Sequence, residues 1–106
     1  MNNEELKITE NIDNNGICRI SAQGRVDSNT AEILLFKLEE ALNNGQKVII
    51  LNMAQVNYLS SIGIRVILKI FKQASEIGGS FNIDHPSEIV RNVLGMVALK
   101  EMLVTN

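Results

Sequence analysis

Residues 57 to 68 read N-Y-L-S-S-I-G-I-R-V-I-L, and the apolar period changes inside them. Upstream, K-V-I-I-L-N (47 to 52) is a short continuous apolar run, the pattern of a strand covered on both sides in a sheet. Downstream of Ser61, Ile64, Ile67, Leu68, Phe71 and Ala74 recur at helical spacing while Arg65, Lys69, Lys72 and Glu76 fall on the other side. That helix is predicted to end at Gly78-Gly79. A strand passing directly into a helix is half of a βαβ unit, and such units build parallel sheets with right-handed crossovers. Ser60 and Ser61 stand at the junction, either to cap the helix or to present a hydroxyl outward.

The rest of the chain repeats the alternation. Leu6, Ile8 and Ile12 mark a first strand, and Asp13-Asn14-Asn15-Gly16 is a turn signal that makes it one arm of a hairpin. In I-C-R-I-S-A-Q (17 to 23) Cys18, Ile20 and Ala22 alternate with Arg19, Ser21 and Gln23, a strand that Gly24 is expected to break. From Ser28 to about Asn44, Ala31, Leu34, Leu35, Leu38, Ala41 and Leu42 lie on one helical stripe, with Asp27 or Ser28 as N-cap. S-F-N-I-D (80 to 84) alternates as a strand, Pro86 suits the first turn of a third helix carrying Ile89, Val90 and Val93, and Met102 to Val104 is read as a last edge strand. The order ββαβαβα predicts an α/β domain, its sheet mixed but mostly parallel, with four to five strands and helices mainly on one face. Ala31, Leu34, Leu38, Ile49, Leu51, Ile64, Leu68, Phe71 and Phe81 are expected to form one core, so that Leu68→Ala would cost about 2 to 5 kcal/mol.

Composition narrows the function. A chain of 106 residues, 45% hydrophobic and 21% charged, is one ordinary globular domain. Its net charge of −2 with dispersed Lys and Arg leaves no footprint for nucleic acid. No window approaches the roughly 20 apolar residues of a membrane span, and the acidic N-terminus lacks a signal-peptide pattern. A cytoplasmic protein is expected. The single cysteine, Cys18, permits no intramolecular disulfide or thiolate cluster and is read as a small core residue. The single histidine, His85, lies outside any G-x-S-x-G elbow, and neither a phosphate loop nor a dinucleotide fingerprint is present. These are signs of a binding protein without catalysis or cofactor.

In open α/β sheets, ligands and partners meet the carboxyl ends of the strands. Two loops fall there: G-R-V-D-S-N-T-A (24 to 31) and Y-L-S-S-I-G (58 to 63). If consecutive strands are parallel neighbours, Asp27 and Ser61 lie at the same end of the sheet.

At these loops the chain resembles the STAS family, specifically the bacterial anti-sigma factor antagonists. Their G-x-[LV]-D-x-x-[TS]-A segment corresponds to Gly24 to Ala31. Their serine-glycine segment corresponds to Tyr58 to Leu68, and the likeness continues through the run from Lys72 to Phe81 with its Gly78-Gly79 pair. The resemblance implies a protein that is a monomer when free and binds an anti-sigma factor, frequently a GHKL-type serine kinase, thereby releasing a sigma factor. It implies that Ser61, two residues before Gly63, is the phosphate acceptor, acting as a switch as well as a cap. It also implies that Asp27, Ser28, Asn29, Tyr58, Ser60, Ser61, Ile62, Gly63 and Arg65 form the partner surface. A STAS scaffold of a lipid-transport or stressosome-like complex, with the serines only capping, is the alternative. The chain departs from many phosphorylated members in having Ser60 where they have Asp, and Ile62 where they have a small residue. By this reading it also lacks the final helix many relatives carry.

Overall fold

At the first turn, Asp13 Oδ1 accepts from the backbone N–H groups of Asn15 and Ile17, at 2.9 and 3.0 Å, and Gly16 supplies the left-handed φ of 80° that closes the reversal. Around it the first two strands pair as the expected hairpin. The computed structural model describes residues 6–97 together with Leu99 and Leu103. Its elements are β1 (Lys7–Ile12), β2 (Ile17–Val26), α1 (Ala31–Asn43), β3 (Val48–Leu59), α2 (Ser61–Glu76), β4 (Ser80–Asp84) and α3 (Glu88–Met96). The strands among the described residues lie in the order β1-β2-β3-β4, with β1 antiparallel to β2 and the others parallel. The α/β class and the mostly parallel sheet are as the alternation predicts. α1 and α2 lie side by side, where Glu39 accepts from Gln73 at 3.0 Å and pairs with Lys69 at 3.6 Å.

Both central strands run further than their apolar patterns. Gly24 does not break β2: it takes a φ of 116° and the strand continues to Val26. The register shifts between Ser21 and Gln23, which face Asn52 and Gln55, and again between Gly24 and Arg25, which face Val56 and Tyr58. Each shift is a bulge that places one additional residue on β3 and increases its twist. At the first bulge Asn52 Oδ1 takes up the N–H of Ala54 at 2.9 Å. β3 therefore does not stop at Asn52, where its pairing with β4 ends, but runs on to Leu59 beside β2 alone.

Beyond β4, Ser87 covers the free edge of β3. Its N–H donates to Met53 O at 3.1 Å and its hydroxyl to Val56 O at 2.6 Å, while its Oγ accepts from Val90 N at 3.2 Å as the N-cap of α3. The helix thus begins after Ser87, and Pro86 precedes it rather than occupying its first turn. Similarly, α1 begins at Ala31 after Thr30, not at Ser28, because Asp27 organises a separate turn first.

The core holds Cys18, Ile20, Leu34, Leu38, Ile49, Leu51, Phe81 and Ile83, all essentially inaccessible, so Cys18 is the core residue expected. α2 is rotated from the predicted orientation. Its buried residues are Gly63, Val66, Ile67, Ile70 and Ala74, whereas Ile64 and Phe71 are half-buried and Leu68 is 38% exposed. The cause is Gly63: a Cβ there would stand 2.7 Å from both Leu59 Cδ1 and Val26 Cγ1, so the helix turns its glycine inward to lie directly on the strand ends. The full truncation cost therefore belongs to Ile67, not Leu68. Of the strand expected at Met102 to Val104, only Leu103 is described. It is helical, donating to Leu99 O at 3.1 Å, and buried, which overturns the strand at that residue. Met102 and Val104 lie outside the described residues.

Candidate functional site

The loop after β2 is built by one carboxylate and one hydroxyl. Asp27 Oδ1 accepts from the N–H groups of Asn29 (2.9 Å) and Thr30 (3.1 Å), an Asx turn of the kind aspartate favours. Thr30 Oγ1 accepts from Asp27 N at 2.9 Å and donates to Arg25 O at 2.6 Å. Thr30 is only 5% exposed, so these bonds are what permits its hydroxyl to be buried. Asp27 Oδ2 faces Arg25 Nε at 3.3 Å, and the Arg25 guanidinium lies 4.2 Å from the centre of the Tyr58 ring. The Asn29 N–H, then Arg25 and Thr30, hold the Asp27 carboxyl below the usual carboxylate range, so it is ionised at neutral pH. Ser28 and Asn29 are left exposed at the tip.

The second loop lies against the first. Val26 pairs with Leu59, and Ser60 N donates to Val26 O at 2.9 Å, so Asp27 and Ser61 start from neighbouring strand ends on the same edge of the sheet, as a parallel arrangement requires. Ser60 is the N-cap of α2, its Oγ accepting from Gly63 N at 3.2 Å. Ser61 is the first residue of the helix, exposed, and its hydroxyl has no partner among the described residues. The two roles expected of Ser61 are thus divided: its neighbour is the cap. Ile62 and Tyr58 are 39% and 40% exposed, and Arg65 is exposed one turn further along.

Eight of the nine residues expected at the partner surface stand half-buried or exposed around this end of the sheet. Gly63 does not; it is buried and acts by letting α2 approach β2 and β3. Sequence reasoning missed Arg25 and Thr30. Aspartate followed by Ser28-Asn29-Thr30 is a legible turn signal, but the stacking of Arg25 on Tyr58 follows from a cross-strand register set by a bulge.

With this geometry in view, the class of the protein follows. A model of the STAS domain matches residues 7–106, and the chain belongs to that family. The protein designated anti-sigma factor antagonist BtrV of Bordetella bronchiseptica is similar: 32% identical over 89 residues, 83% of this chain and 75% of that one. The structure of the anti-sigma factor antagonist SpoIIAA in its unphosphorylated form has the same fold, with a TM-score of 0.78 at 20% identity over 94% of this chain and 89% of that one. The phosphorylated form of SpoIIAA, a Bacillus cell fate determinant, matches with a TM-score of 0.72 at 19% identity over 94% and 92%. The chain is an STAS domain of the anti-sigma factor antagonist kind. None of its described helices is long and apolar enough to cross a membrane.

Proposed function

We propose that this chain binds an anti-sigma factor of the GHKL serine kinase type in the cytoplasm, so releasing a sigma factor, and that phosphorylation of Ser61 ends the binding. The observation that carries this reading is the division of labour at the start of α2, where Ser60 caps the helix and the Ser61 hydroxyl is left exposed and unengaged. Modification of Ser61 leaves the cap intact. In the transfer, Ser61 Oγ bonds to the γ-phosphorus of ATP, ADP departs, and the hydroxyl proton passes to a base of the kinase.

The physical consequence suits a switch that spares the fold. A phosphate brings about −1.5 to −2 charges, which the first turn of a helix favours by roughly 0.3 to 1 kcal/mol. At a docked surface the same dianion must lose its water beside the ionised Asp27 loop, and each 1.4 kcal/mol of penalty weakens binding about tenfold. SpoIIAA, solved both with and without its phosphate, keeps this fold in each form.

The test is to incubate the protein with ATP and each GHKL-type serine kinase encoded in its source genome, purified, and to locate phosphate by mass spectrometry. Phosphate on Ser61, with Ser61→Asp folded but unable to bind that kinase, is the expected result. Phosphate confined to Ser60, or undiminished binding by Ser61→Asp, overturns the reading.

A further inference from the structure

α2 carries more apolar surface than the domain covers. Gly63, Ile64, Val66, Ile67, Leu68, Ile70, Phe71 and Ala74 spread over roughly 200° of the helix at 3.6 residues per turn, about twice the stripe a surface helix needs for one core. The domain uses the half centred on Gly63 and Ile70. The remainder, Ile64, Leu68 and Phe71 at i, i+4 and i+7, forms a flank in which Ile64 and Phe71 are half-buried against the core and Leu68 is exposed, and it points away from α1, whose Glu39 meets α2 at Lys69 and Gln73 on the opposite side. Scattered surface leucines need no explanation. This one belongs to a strip that begins one turn from Ser61 and ends at Phe71, on the rim of a hollow of about 270 Å³ shared with Ser75 and Asn82.

Charge borders the strip on its outer side. Arg65 and Lys72 lie with Ser61 and Leu68 on one line of the helix (61, 65, 68, 72), both are exposed, and neither has a carboxylate partner among the described residues. Four other cations are committed, Lys37 to Glu10 at 2.8 Å, Lys69 to Glu39, Arg25 to Asp27 and Arg19 to Asp13 at 3.5 Å, while Lys7, Lys47 and Arg91 stand elsewhere on the domain. In a chain of net charge −2, two unpaired cations flanking an exposed leucine make a local basic and apolar surface.

We infer that this flank of α2 is part of the docking surface, and that the anti-sigma factor covers it with an apolar side chain set between carboxylates. The inference rests on the proposed function and extends its contact from the strand ends through two turns of α2. The complementary partner is acidic because a basic one would bury Arg65 and Lys72 unpaired, at heavy cost. The arrangement also gives the Ser61 phosphate a second means of interference: its charge sits on the same line, one turn from Arg65, and competes with the partner's carboxylates for that guanidinium.

The experiment measures, by calorimetry at low and high salt, the affinity of whichever purified GHKL kinase binds wild type, against Leu68→Ala, Lys72→Glu, Ser61→Asp and a control, Lys47→Glu, at an exposed lysine before β3. Leu68→Ala is expected to weaken binding about tenfold, as loss of an apolar anchor does, while remaining folded in thermal melts at the assay temperature. Lys72→Glu is expected to weaken it tenfold or more at low salt and to flatten the salt dependence, and Lys47→Glu to do neither. If Ser61→Asp abolishes binding while Leu68→Ala and Lys72→Glu bind within twofold of wild type, the inference fails and the functional reading stands. Should wild type bind none of the kinases, both fall. Binding of wild type to phosphatidylglycerol vesicles, lost in Lys72→Glu, assigns the strip to a membrane surface and also overturns the inference.

Discussion

The starts of α1 and α2 lie side by side on neighbouring strand ends, yet they use their polar side chains in opposite ways. At α1 the two side chains that shape the helix start are spent on the fold: Asp27 fastens two backbone amides, and the Thr30 hydroxyl both accepts and donates while buried. At α2 one serine closes the helix end and the next is held in reserve on its surface. A braced loop beside an unspent hydroxyl suits a surface that must keep its shape when its charge changes.

Substitutions can break this contrast, beginning with the largest effect. Thr30→Val removes a buried hydroxyl from two backbone partners, and a loss of about 1 to 3 kcal/mol is expected in denaturant melts. A comparable loss of about 1 to 3 kcal/mol is expected for Gly63→Ala, because the added methyl overlaps Leu59 and the stiff Val26. Ser60→Ala should cost about 1 kcal/mol, the usual value of an N-cap.

At Asp27 the effect is graded by pH. Its carboxyl is held below the usual range, so its stabilisation is complete above the unfolded value of about 3.9 and is lost as pH falls through the lower folded value. The difference in Tm between wild type and Asp27→Asn should therefore shrink as the pH falls from about 5 to about 2. A difference that grows on acidification would show the carboxylate to be destabilising. The smallest effect belongs to Ser61→Ala, whose stability should lie within about 0.5 kcal/mol of wild type. A loss as large as that of Ser60→Ala would erase the distinction between cap and spare hydroxyl.

How far the sequence was legible depended on whether a period survived. β4 and the hairpin were plain, because Phe81 and Ile83 alternate strictly and Asp13 to Gly16 is turn chemistry. The far half of β3 was not. Its buried residues are Ile49, Leu51, Met53, Val56 and Leu59, and the two bulges stretch the later spacing from two to three, which matches neither strand nor helix. In α2 the helix was evident but its orientation was not, since an apolar arc that broad has no single centre. Gly63 was the available signal, for a glycine inside a helix marks the side that approaches something closely. The alignment of Asp27 with Ser61 could be foreseen from βαβ logic alone. The stacking of Arg25 on Tyr58 could not, because it depends on a register that a bulge had shifted.

The overhang of β3 has a mechanical consequence. From Asn52 to Leu59 the strand extends roughly 20 Å past its last pairing with β4, laced to β2 on one side and pinned by Ser87 on the other. It is a cantilever with the Ser60-Ser61 junction at its tip, and Ser87 is the strut nearest that tip on the open side. Loosening the strut lets the tip vibrate without melting the beam, so amide hydrogens from Gln55 to Leu59 would exchange faster while those of Ile49 to Leu51 kept their protection.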